Sequence, residues 1–200
     1  MTPKVFLISG KKRAGKDSFA AALAAAMAEL HGEPTATMAF ADPIKRCVAE
    51  CFRLSPEQTN VQELKEAVDP RWGLTPREIM QRFGTEVGRT IHPDVWALNL
   101  IDRIKQALAK DPTTNVVVPD CRFPNELELV RGAFPEGFVA SVLVTRKDAD
   151  DGRFAAHASE TALDGADVAW DFLVDNCGAL EDLKKTARIV AGHCRSAAAA

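Results

Sequence analysis

The chain has 200 residues, 46% of them apolar and 26% charged, the composition of a soluble globular protein with one domain or one domain carrying an inserted subregion. Its 25 basic and 28 acidic residues leave a net charge of −3, so no overall basic field argues for nucleic acid as a partner. No apolar run reaches membrane-spanning length, the apolar stretch of the opening MTPKVFLISG is too short for a signal peptide, and a cytoplasmic protein is expected. The five cysteines, at 47, 51, 121, 177 and 194, are odd in number and form no CxxC pair. They are expected to be reduced core or surface thiols, not a zinc site or a disulfide framework.

In chain order, KVFLI (4–8) is apolar on both faces and runs into a glycine-rich turn, which predicts a buried parallel strand. An alanine-rich helix follows from Lys16 to about Leu30 and is ended by Gly32 and Pro34. TATMAF (35–40) is a second candidate strand. Residues 42–110 lack strand signals and predict helices over 43–53, 56–68, 76–90 and 94–109, with Ser55–Pro56, Thr75–Pro76 and Pro93–Asp94 as starts. NVVVPD (115–120), FVASVLVT (138–145) and WDFLVDN (170–176) complete five strands, with short helical stretches near 126–131 and 179–192. Strands alternating with helices imply an α/β fold with a parallel sheet. Residues 42–112 are expected to form a helical insertion, and 146–158 a mobile cover.

Gly10, Gly15 and Lys16 satisfy GxxxxGK, with an apolar strand before and a helix after. That is the sequence pattern of a P-loop. A strand delivers a tight turn whose backbone N–H groups converge on phosphate oxygens at a helix N-terminus. Gly10, Lys11, Arg13, Ala14 and Gly15 are expected to wrap donor phosphates, with Lys16 reaching the β- and γ-phosphates and Ser18 the α-phosphate. Asp17 stands where a hydroxyl residue ordinarily ligates Mg²⁺. A carboxylate is also a hard oxygen ligand, and an acid in the first turn is favoured by the helix dipole; both roles are open to Asp17.

The segments GKKRAGKDS (10–18), FADPIK (40–45), TPREIMQRFGTEVGR (75–89), DVW (94–96), PDCRFPNE (119–126) and HASE (157–160) together resemble the phage-type deoxynucleoside monophosphate kinases. The loop and ASETALDGADVAWDFLVDNCG (158–178) also resemble animal-type phosphomevalonate kinase. Both resemblances imply a P-loop NTPase fold and ATP-dependent transfer to a small phosphate monoester. The long 75–89 stretch favours the nucleotide acceptor. A non-kinase P-loop switch or DNA-linked ATPase is the alternative from another class. The sequence leaves homodimerisation open.

On a helix at 100° per residue, Ile79, Met80, Phe83 and Val87 of the 75–89 stretch fall on one arc, expected to face a core. Arg77, Gln81, Gly84, Thr85 and Gly88 fall opposite, where the glycines are expected to give room to a base or sugar. Arg77, Gln81, Thr85, Gly88 and Arg89 are therefore acceptor candidates, joined by Lys45 for a phosphate and Trp96 for base stacking. Asp42, before Pro43, is a candidate N-cap.

Asp120 ends the third strand, where an acid holds Mg²⁺ or accepts a proton, and Arg122 is placed to bridge donor and acceptor phosphates. Glu126 is a further member of that cluster. Arg146, Lys147 and Arg153 in the cover are candidates for the remaining cation. The resemblance to related kinases implies a donor-base contact for Asn176.

Overall fold

The computed structural model describes residues 4–147, 161–163 and 168–196. The chain divides into two compact units, one formed by Met1–Ala39 with Leu100–Ala200 and the other by Phe40–Asn99.

The first unit is built on a five-stranded parallel sheet. Its strands are β1 (Val5–Ser9), β2 (Thr35–Thr37), β3 (Asn115–Val118), β4 (Val139–Thr145) and β5 (Phe172–Asp175), in the order β2-β3-β1-β4-β5. Every pairing is parallel, with Leu7 opposite Val118 on one side and Ser141 on the other. All five residues of β1 are buried, as its uninterrupted VFLI run predicts for a strand covered on both faces. Phe6 and Ile8 join one apolar cluster with Phe19, Leu23 and Met27 of α1 (Lys16–His31) and Leu183, Ala187 and Val190 of the last helix, Leu180–Ser196. Val5 and Leu7 alternate to the opposite face and are equally buried. The first helix ends where the sequence says: Gly32, at φ 65°, returns its N–H to Ala28 O.

One polar knot fixes the start of β5. Asp171 accepts from the Ser141 amide (2.7 Å) and hydroxyl (2.9 Å), and Arg131 donates to Asp171 (2.6 Å) and Ser141 Oγ (2.7 Å). Arg131 lies on Pro124–Ala133, so a helix, a central strand and an edge strand share one charge pair.

The second unit is helical. It holds α2 (Asp42–Phe52), α3 (Pro56–Asn60), α4 (Gln62–Glu66), α5 (Pro76–Arg82), a π-helical segment (Phe83–Gly88), α6 (Arg89–Ile91) and the start of α7 (Val95–Lys110), which continues into the first unit. Two of its starts are capping boxes. Ser55 Oγ accepts from Gln58 N while Gln58 accepts from Ser55 N, and Thr75 with Glu78 repeats the exchange. The predicted 56–68 helix is instead two short ones, because Val61 takes an extended conformation between them. Asp42 does not cap α2: Ala41 holds the cap position without a side-chain bond, and Asp42 is the helix's first residue. Val48, Leu54 and Ile79 form the unit's core, flanked by Ile44, Phe52, Leu74, Met80 and Phe83.

Asp69 closes the loop that follows α4. Its carboxylate accepts from the Arg71 backbone N–H, the Arg71 guanidinium and the Gln58 amide, while Asp69 N and Leu74 O pair across the turn. The Arg71 guanidinium holds this carboxyl well below the usual carboxylate range, against the opposing effect of burial. A depressed folded pKa stabilises fully above the unfolded carboxylate value of about 3.9 and is lost as pH falls below it. Denaturant melts at pH 6 and pH 3 should therefore show a smaller acid-induced loss of stability in Asp69→Asn than in the parent. An equal loss would remove Asp69 from the account. Among the described residues, no helix is long and apolar enough to cross a membrane.

Candidate active site

The first unit carries the phosphate loop at the C-terminal end of β1. Three residues in it have positive φ: Gly10 at 147°, Arg13 at 63° and Gly15 at 95°. A turn that alternates handedness in this way aims successive N–H groups into one concavity, the geometry that holds anions. Glycine is required at both ends by its neighbours as well as by φ. A Cβ on Gly10 would lie 2.2 Å from Val144 O of β4, and one on Gly15 would lie 2.2 Å from Asn176 Nδ2. The loop is thus wedged against the ends of β4 and β5.

Lys16 opens α1 and is only 8% exposed. Its ammonium donates to Gly10 O and Lys11 O, each at 2.7 Å, and so closes the loop on itself. Ala14 is fully buried, and its N–H donates to Lys11 O. Arg13, Asp17 and Ser18 are exposed, while Lys11 is half-buried. The backbone and Lys16 supply positive charge at the N-terminus of a sixteen-residue helix, where an anion is favoured.

Beside the loop, the segment after β3 is tied to β1 by Cys121 N donating to Ile8 O (3.1 Å). This brings Asp120 and Arg122, both half-buried, next to the strand that delivers the phosphate loop. Glu126 holds the turn. It is 2% exposed, and its carboxylate accepts from Arg122 N (2.7 Å) and Phe123 N (3.1 Å). It supports the backbone of the D-x-R segment, a role signalled in sequence by Pro124 at a helix start and an acid two residues later. Burial pushes the Cys121 thiol up, and Glu126 and Asp120 add to the effect, so this cysteine stays protonated and inert.

The residues fit Mg²⁺ by their chemistry. Asp17 and Asp120 offer hard carboxylate oxygens on the two segments that leave β1 and β3. Among the described residues there is no cluster of three or more His, Cys, Asp or Glu that would cage a metal. Mg²⁺ takes one or two carboxylates and completes its shell with phosphate oxygens and water. Arg146 and Lys147 are exposed just past β4, and the Lys147 N–H donates to Cys177 Sγ (3.2 Å). Arg153 and the rest of the expected cover, 148–158, lie outside the described residues.

Asn176 follows β5 and is 8% exposed. Its Nδ2 donates to Ala14 O at 2.8 Å. The amide that the family resemblance assigned to the donor base is thus engaged on the loop backbone.

In the helical unit, the open glycine face expected from 100° spacing is filled. Gly84 and Gly88 are buried and Val87 is 45% exposed, the reverse of the sequence reading. The π-helical segment is the reason. Arg89 N reaches Gly84 O, five residues back, so each turn holds an extra residue and later side chains rotate away from the α-helical arcs. A Cβ on Gly88 would lie 2.2 Å from Trp96 Cζ2, and one on Gly84 would lie 2.9 Å from Ile44 Cδ1. The ring for which Gly88 makes room is that of Trp96. It is 8% exposed, donates to Gly84 O (2.8 Å), and is packed rather than offered to a base.

The other acceptor candidates are placed as follows. Arg77 donates to Gln62 Oε1 (3.0 Å) and pairs with Glu66 (3.5 Å), and Gln62 also donates to Glu66 (2.6 Å). Lys45 donates to Asn60 Oδ1 (2.9 Å), and Arg89 to Pro93 O (3.0 Å). Gln81 and Thr85 are half-buried on the same helical stretch.

Replacing a helical glycine by alanine gains about 1 kcal/mol of helix propensity, but overpacking costs about 1–3 kcal/mol. At Gly84 the neighbour is the tip of a flexible isoleucine, so Gly84→Ala should be near neutral. At Gly88 it is a buried, hydrogen-bonded indole, so Gly88→Ala should be destabilising by about 1–2 kcal/mol. Chemical denaturation of both variants checks the ordering; a tolerated Gly88→Ala would contradict the packing.

No family model matches the chain. It is 39% identical over 79 residues to the deoxynucleoside-5'-monophosphate kinase of Escherichia phage T5, covering 39% of this chain and 30% of that protein. It is 35% identical over 102 residues to a protein of Acanthamoeba polyphaga mimivirus provisionally named deoxynucleotide monophosphate kinase, covering 46% of this chain and 53% of that protein. A solved gluconokinase of Sinorhizobium meliloti 1021 superposes over 98% of this chain and 96% of its own, with a TM-score of 0.50 and 15% identity, a likeness of fold alone. The fold is that of the P-loop kinases, and the matched region spans about half of one curated relative and less than a third of the other.

Proposed function

We propose that the protein transfers the γ-phosphoryl group of ATP to a deoxynucleoside monophosphate, giving a deoxynucleoside diphosphate and ADP. The observation that carries this reading is the phosphate loop, with its three positive-φ residues and Lys16 bound across its mouth. The acceptor class rests on the 75–89 stretch and on the names of the two viral relatives.

In this reading an acceptor phosphate oxygen attacks the γ-phosphorus as the bond to the ADP oxygen breaks. The transferring group carries its charge on three equatorial oxygens, so the protein's task is alignment and positive charge. Loop amides and Lys16 hold the donor. Arg122, on a turn fixed by Glu126, is proposed to span both phosphates with its fork of donors. An acceptor phosphate has a second pKa near 6 and is largely ionised at pH 7, so it needs no general base. Asp120, with Asp17, is accordingly assigned to Mg²⁺, which when bound neutralises charge on the β- and γ-phosphate oxygens. Lys45, Gln81, Thr85 and Arg89 are the proposed acceptor contacts, with Arg77 once it exchanges Gln62 and Glu66 for the acceptor phosphate. Arg146 and Arg153 are proposed to supply the remaining positive charge at the transferring group. A cytoplasmic setting suits the free thiols of Cys47, Cys51, Cys121 and Cys177.

ADP release measured over a panel of dNMPs and phosphomevalonate tests the acceptor. Turnover with a dNMP is expected; turnover with phosphomevalonate alone would move the protein to the other kinase class, and acceptor-independent ATPase activity would favour a switch. Lys16→Ala should lower transfer by roughly two orders of magnitude or more while the protein stays folded by circular dichroism. Asp17→Ala should raise the Mg²⁺ concentration needed for half-maximal ATP binding; an unchanged requirement would leave Asp17 as a helix-end acid.

A further inference from the structure

We propose that Asn176 is a positioning residue that sets the triphosphate affinity of the loop, and that it does so without reading the donor base. The proposal rests on the ATP-binding reading above.

Asn176 is held on both of its sides. Its backbone N–H donates to Thr145 O (2.8 Å), which extends the β4–β5 ladder by one residue and fixes its Cα to the sheet. Its side chain then crosses to the phosphate loop and donates from Nδ2 to Ala14 O at 2.8 Å, in a buried contact. The orientation of the amide follows from the partner, since a carbonyl can only accept and so takes the NH₂ edge.

The consequence reaches the anion through one peptide bond. A trans peptide is planar, and its C=O and N–H point in opposite directions. Ala14 O fixed on Asn176 therefore sends the Gly15 N–H to the other side of the loop. Ala14 is fully buried, so without Asn176 its carbonyl has no water to accept from. The Ala14–Gly15 plane would then be free to rotate, and Gly15, at φ 95°, has the freedom to let it. Nδ2 also occupies the place where any side chain at position 15 would stand. One carboxamide thus both requires glycine there and restrains the flexibility that glycine brings.

The test compares binding of ATP and of inorganic tripolyphosphate, at fixed Mg²⁺, to the full chain and to Asn176→Leu and Asn176→Asp. Leucine keeps the branching at Cγ and removes the donor, though it is larger than asparagine. Aspartate sets an acceptor against the Ala14 carbonyl, and gives a second variant should the first not fold. Tripolyphosphate has no base, so a loop-positioning role weakens both ligands alike, by about tenfold, with the ATP-to-tripolyphosphate ratio unchanged. Melting of each variant without ligand separates a general loss of fold from the loss of affinity. Weaker ATP binding with unchanged tripolyphosphate binding would show a base contact and overturn the proposal, as would parent-like binding of both ligands. If the parent itself bound neither ligand, the ATP reading would fail first, an outcome distinct from a parent that binds and variants that match it.

Discussion

The phosphate loop is crowded at both of its glycines. At one end Gly10 lies against the carbonyl of Val144, and at the other Gly15 lies against the amide of Asn176, each too close for a Cβ. This contact holds the loop's N–H groups in one arrangement. A glycine-rich loop in isolation would sample many conformations, and each would aim its amides differently. Packed against the ends of β4 and β5, and closed by Lys16 on two of its own carbonyls, it keeps one. The order β3-β1-β4-β5 matters for the same reason: it brings Asp120 and Arg122 to one side of the loop and Asn176 to the other.

Polar groups, some of them buried, support this arrangement at one remove from the chemistry. Glu126 accepts two backbone N–H groups and keeps the turn of Arg122 in shape. Asp171, Ser141 and Arg131 hold the entry of β5, the strand that carries Asn176 at its far end. Glu126 contributes because it accepts two charge-assisted bonds at once, which offsets the cost of its burial.

The helical unit follows a different rule. Two of its candidate acceptor cations are engaged on neighbours within the unit, Arg77 on Glu66 and Gln62, and Lys45 on Asn60. Its two helical glycines serve helix packing, because the indole of Trp96 and the side chain of Ile44 occupy the space they leave. An acceptor anion bound here must offer these cations better partners than they have. A dianionic phosphate with paired oxygens does so for a guanidinium, and a neutral ligand does not.

The five strands, the phosphate loop and the capped starts at Ser55 and Thr75 were legible in the sequence, because each depends on neighbours in the chain. An apolar run, a glycine spacing and a serine or threonine three residues before a glutamine or glutamate carry their meaning locally. The π-helical segment was not legible. Its extra residue per turn answers to the indole of Trp96 packed against Gly88, and a fixed 100° step cannot register it. The role of Asn176 was equally hidden, since Asn176 and Ala14 are 162 residues apart and meet only because β5 and the loop lie at the same edge of the sheet. The sequence by itself determined where a loop of the phosphate-binding pattern stands. Tertiary structure alone decided what holds that loop in place, because that depends on contacts between segments that only the folded sheet brings together.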